Sequence, residues 1–291
     1  MFRPSRCLAA PLLVLAMPAC AQMMAPPPPV TGTAVTLADS GIGYADLADL
    51  VIAAPIIADA TIRSTAKIKP TEAPGLQPGL TRYYVEADVT TLVRGKNGLP
   101  PRVGYLLDVA PDSAGRQPKL KKRRVLIFAR QAPTGPDQLQ LVAPDAQRDW
   151  NPALDDETRR IAIASLAADA PPRITGVGNA FHVPGALPDE GETQVFLTTA
   201  NGAPVSLSVL RRPGERPRWA VALSEIVDEA AAAPPPRSLL WYRLACGLPR
   251  SLPASSTAAL GPADAAQAQQ DYAFVLEQLG PCGRTRAEPV S

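Results

Sequence analysis

The sequence predicts a mainly β protein with some α. A first β domain of five strands leads into a small antiparallel sheet packed with two C-terminal helices. Three observations carry this reading. Residues 193–225 alternate apolar and polar side chains across three consecutive segments, a period of two that puts one set on a buried face. Shorter apolar segments with the same character recur between 51 and 142. Prolines number 34 in 291 residues, a density that favours short strands and loops over a helical bundle.

The chain opens as an export signal over 1–21. Arg3 and Arg6 give a positive start, Cys7 to Met17 is an apolar stretch too short to span a bilayer, and Ala19-Cys20-Ala21 fits a small-x-small cleavage site. Met17-Pro18-Ala19-Cys20 also loosely fits a lipobox, in which Cys20 is lipidated and anchors the chain to a membrane. Cleavage before Gln22 removes two arginines and no acid, taking the formal charge from +2 to zero. A neutral chain has no global field to steer nucleic acid. Cleavage also leaves Cys246 and Cys282 as an even pair in an oxidising compartment, which predicts a disulfide. A cross-link closing that loop stabilises the fold by roughly 4 kcal/mol in the chain-entropy model.

Residues 22–43 read as a linker, with Pro26 to Pro29 in polyproline II. The first domain spans 44–145. Tyr44 to Leu50 makes a short helical turn, and Val51 to Lys69 reads as a long strand bent at Pro55, since proline cannot donate to a ladder. Tyr83 to Val93, Val103 to Val109, Val125 to Ala129 and Leu139 to Val142 supply the other four strands. The segments ADLVIAAPIIADATI, YYVEADVTTLVRG and LKKRRVLIFAR resemble the opening of netrin-like modules, the barrel family that includes tissue inhibitors of metalloproteinases. The resemblance covers about a third of the chain and implies an OB-like five-stranded barrel. The inhibitors use an N-terminal cysteine and several disulfides. This region has no cysteine, so the inhibitory residues do not carry over.

A helical connector occupies 146–172, starting at Asp155 and stopped by Pro171-Pro172. The last region, 173–291, begins with a strand from Ile174 to Val183. It continues through Thr193–Thr199, Val205–Arg211 and Arg218–Glu225, with turns at Asn201-Gly202 and Pro213-Gly214. Ser238 caps one helix, and Ala263 to Leu279 forms another with Ala268, Tyr272, Val275 and Leu279 on one face. The disulfide then staples the two helices.

Catalytic signatures are sparse. His182 is the only histidine, which excludes any metal site needing two imidazoles and reads as structural between Phe181 and Val183. No G-x-S-x-G elbow, Walker loop or H-E-x-x-H helix occurs, and Gly176-Val177-Gly178 lacks the full dinucleotide fingerprint. No cofactor is expected. Asp189, Glu190 and Glu192 cluster in one loop, where carboxylates do acid–base work or hold a cation if they converge with His182. Lys119, Lys121, Lys122, Arg123 and Arg124 form the strongest charge run, a contact for an anionic surface or an acidic envelope protein. The hairpin Arg211 to Trp219 supplies the Arg and Trp types that anchor interfaces. The sequence therefore predicts an exported, non-catalytic binding or structural module of the cell envelope. An enzyme built around His182 and the 189–192 loop, or an inhibitor of an envelope protease, are the alternatives. A membrane enters only through a lipid on Cys20.

Overall fold

Pro55 sets the first boundary of the fold. Residues Tyr44–Ala53 form helix α1, Ala54 is extended, and strand β1 runs Ile56–Lys67. The residue before a proline is pushed out of the helical region, so the helix stops one residue short of it. The long strand expected from Val51 is thus a helix up to Ala53 and a strand only beyond Pro55. The computed structural model describes residues 41–223 and 232–286. The signal segment 1–21, Cys20 and most of the linker lie outside the described residues, as do the last residues of the strand expected at 218–225. Ile42, at the linker's end, is buried against the core.

Strands β2 (Thr81–Arg94), β3 (Arg102–Val109), β4 (Arg124–Gln131) and β5 (Gln138–Leu141) complete a closed five-stranded barrel. The order is β1-β2-β3-β5-β4, and β1 pairs with β4 to close it. All pairs are antiparallel except β3 with β5, where Gly104 faces Gln138 and Tyr105 faces Leu139. This is the OB-like barrel the sequence predicts. Ala60, Ile62, Val85, Ala87, Val103, Tyr105, Val125, Ile127 and Leu139 fill its interior. A further strand, β6 (Gln147–Asp149), adds to β4 on a stretch expected to be connector. Its three polar residues carry no strand signal, and pairing with Val125–Ile127 alone makes them a strand.

The unbroken apolar run of β4 has a simple cause. Val125, Ile127 and Ala129 point into the barrel, while Leu126 and Phe128 point outward into a second core. That core is built with Leu47, Leu50 and Val51 of α1 and with Leu154 and Ile161 of α2, the helix Pro152–Leu166. A strand covered on both faces has no need to alternate. Helix α2 starts three residues before the acidic cluster. Asn151 caps it, accepting from the Leu154 N–H at 2.9 Å, and Pro152 occupies the first turn.

The second sheet has the order β10-β9-β8-β7, all antiparallel, from β7 (Ile174–Pro184), β8 (Gly191–Thr199), β9 (Val205–Arg211) and β10 (Arg218–Ala222). Five residues separate β8 from β9, and Gly202 takes a positive φ of 75° there. Val195, Leu197, Val205, Leu207 and Val209 bury against helices α3 (Leu239–Gly247) and α4 (Pro262–Leu279). Ser238 caps α3 through the Trp241 N–H, and Cys246 bonds to Cys282, as the sequence predicts. The described residues belong to one compact unit. Among them no helix is long and apolar enough to cross a membrane.

Candidate functional site

The outer face of β2, β3 and β5 carries a groove of about 760 Å³, extended by the β4–β5 turn and by residues 141–144. Strand alternation places Arg82 and Tyr84 on this face beside Leu106 and Asp108, which stand opposite them across the β2–β3 ladder. Arg82 donates to both Asp108 oxygens, at 2.7 Å each, and its remaining nitrogen donates to the Pro74 carbonyl at 2.9 Å. The Asp108 carboxylate raises the Arg82 pKa further, so the guanidinium stays charged and locked in place. Tyr84 lies over Gly104, where any Cβ would run into its ring and hydroxyl. Glycine at 104 is therefore what lets the tyrosine lie against the sheet. Its hydroxyl and the Gln138 amide are within 3.1 Å. Arg130 donates to Gln140 at 3.1 Å, and Gln131 braces the turn through the Gly135 and Gln138 carbonyls. Leu106 is half exposed in the middle. The surface combines an aromatic ring, an apolar floor and planar polar groups held by one another.

A smaller hollow of about 420 Å³ borders it through Asp108 and Pro144 and reaches the basic loop. The five basic residues of that loop do not act as one patch. Arg124 makes a bidentate pair with the buried Asp59 (2.9 and 2.6 Å) and stacks 3.6 Å above the Trp150 ring. Arg123 pairs with Asp149. Lys119, Lys121 and Lys122 remain exposed, with Lys122 at a positive φ of 70°.

His182 and the acidic loop part company. His182 pairs across the ladder with Thr193, whereas Glu192 pairs with Val183, so alternation puts His182 and Glu192 on opposite faces. The Glu190 carboxylate turns back to accept from the Leu187 N–H at 3.1 Å, and Glu192 accepts from Gln194 at 3.2 Å. Asp189 sits in the turn at a positive φ of 62°. His182 instead meets a network the sequence did not announce. Its Nδ1 lies 2.9 Å from the Thr193 hydroxyl, which donates to the fully buried Asp271 at 2.5 Å. Arg211 donates to the same carboxylate at 2.6 Å, and Gln267 at 3.2 Å. Since the Thr193 proton goes to Asp271, the threonine oxygen accepts from a His182 Nδ1–H. This fixes the ring and ties β7, β8 and β9 to α4. Arg211 is thereby committed internally and Trp219 packs against the core of the second sheet, so these two residues of the 211–219 hairpin serve the fold. Among the described residues no group of three or more His, Cys, Asp or Glu side chains could hold a metal ion.

The opposite face of the second sheet exposes Phe181, Val183, Phe196 and Leu210, with the two phenylalanine rings edge to face at 5.9 Å. No protein-family model matches the chain, and no curated protein matches its sequence.

Proposed function

We propose that this chain is a non-catalytic binding module of the cell envelope, exported through its first 21 residues, and that it takes its ligand in the barrel groove on β2, β3 and β5. One observation carries the reading. The groove is of ligand size, within the roughly 300–1,000 Å³ common for binding sites, and joins an apolar floor to a few fixed polar groups. Oligomer-binding OB barrels use the corresponding strands and loops, which is an analogy of fold. The enzyme alternative has no comparable support, because Glu192 faces away from His182 and the Glu190 carboxylate turns back to the Leu187 N–H. A lipid on Cys20, if added, would tether the module at the membrane without changing the groove.

The test is retention. The immobilised chain is challenged with detergent-solubilised envelope, and bound peptides and released sugars are identified by mass spectrometry beside a Leu106→Asp variant. Material held by the native chain and lost by the variant supports the reading. Equal retention by both, or none above background, contradicts it.

A further inference from the structure

We propose that the groove binds a neutral oligosaccharide, an inference that rests on the groove being the ligand surface. Tyr84 lines the groove with its phenolic end over Gly104. A flat ring offered this way stacks on the apolar face of a pyranose, in the manner of aromatic side chains that carry an apolar body and a polar handle. Around it stand planar groups with donors and acceptors side by side, the Gln138 and Gln140 amides and the Arg130 guanidinium. Such pairs match the vicinal hydroxyls of a sugar. Their hydrogen bonds, Gln138 to the Tyr84 hydroxyl and the Arg130 Nε to Gln140, hold them in register before a ligand arrives.

Charge argues for a neutral chain. Arg82 and Asp108 neutralise each other in a bidentate pair, so the lining carries a single net charge, on Arg130. A polyanion needs a row of cations along its backbone, and single-stranded nucleic acid needs successive aromatic platforms. This groove offers one of each. None of the five residues of the basic loop lines the groove, and its two arginines are tied to Asp149 and Asp59.

Isothermal titration of the full chain with chitohexaose, cellohexaose and maltohexaose tests this, with a proline-rich dodecapeptide and a fifteen-residue oligothymidylate alongside. At least one hexasaccharide should bind. Tyr84→Ala should weaken it about tenfold, the loss expected when one stacking ring is removed. Tyr84→Phe should keep most of the affinity, and Gly104→Val should act like Tyr84→Ala by evicting the ring. Tyr84→Phe also serves as the folded control. Binding of a sugar that Tyr84→Ala leaves unchanged overturns the proposal. So does failure of all three sugars. If the peptide or the oligonucleotide then binds in a Tyr84-dependent way, the groove stands as the ligand surface with another ligand class. If none of the five binds, the groove reading fails with it.

Discussion

Asp49 is 4% exposed and fully engaged. It accepts from the Tyr242 hydroxyl of α3, and Arg284 donates to both of its oxygens, at 2.8 and 3.1 Å. Burial first, and then the neighbouring Asp49, push the Tyr242 phenol up to about 12, so it remains a donor at any physiological pH. Removing one partner of a buried charge costs more than the pair itself is worth, because the other is left without compensation. Arg284→Ala should therefore lower unfolding stability by about 3 kcal/mol, and Tyr242→Phe by about 1 kcal/mol, both read from urea midpoints. One turn earlier, Asp46 accepts from the Thr285 hydroxyl at 2.6 Å and from the Thr285 and Arg286 N–H groups at 3.0 and 3.1 Å. Burial alone would raise its pKa. The hydrogen bonds outweigh that and hold the carboxyl below its ordinary value. A depressed acid contributes stability in full above its unfolded pKa, at about pH 4, and loses it as pH falls through the folded value. Asp46→Asn should flatten the acid limb of the stability profile below about pH 4 and leave its slope near pH 7 unchanged. Unfolding curves taken from pH 2 to 7 would show it. None of these partners was visible in the sequence. Asp46 and Asp49 look like surface acids of a short helix until residues more than 190 positions away fold onto them.

At the scale of elements, local chemistry was readable wherever it was decisive. The alternation of β8 and β9, the Ser238 cap and the apolar stripe of α4 all appear where the pattern puts them. The misses come from tertiary context. Val51 and Ile52 have strand propensity, yet they are helical because they complete the face that α1 adds to the cluster holding Leu126 and Phe128. Asp271 lies between the buried Ala268 and Tyr272 of α4, and only the Thr193 and Arg211 partners make its burial affordable. The start of α2 is written in Asn151-Pro152, a cap followed by a favoured first residue, three positions before the acids at 155–157. Asn151→Ala should cost about 1 kcal/mol, measured by thermal or urea unfolding. The disulfide does more than join two helices. It ties to α3 the segment whose Arg284 and Thr285 bond Asp49 and Asp46 of α1, so the Cys246→Ser and Cys282→Ser double variant should lose about 4 kcal/mol. It should also raise hydrogen exchange across α1, which a loss confined to α3 and α4 would not do.

For the molecule as a whole, the strand pattern sufficed for a barrel and a second sheet, because period two and chain order restrict the packings available. The barrel order is shared by OB-like folds in general, so it does not by itself tie the chain to netrin-like modules. The groove was not legible. It is assembled from residues 82–84, 104–108 and 130–144, which meet only once β3 and β5 pair in parallel. The loudest sequence feature, the basic run, proved partly structural, with two of its five charges closing the β1–β4 side of the barrel and the β6 edge. The central claim is that ligand is held on the β2–β3–β5 face. Hydrogen–deuterium exchange of the full chain, with and without solubilised envelope, tests it most directly. Protection concentrated on 82–84, 104–108 and 130–144 is the predicted result. Protection on the second sheet around 181–196 with the barrel unchanged, or no protection anywhere, would contradict it.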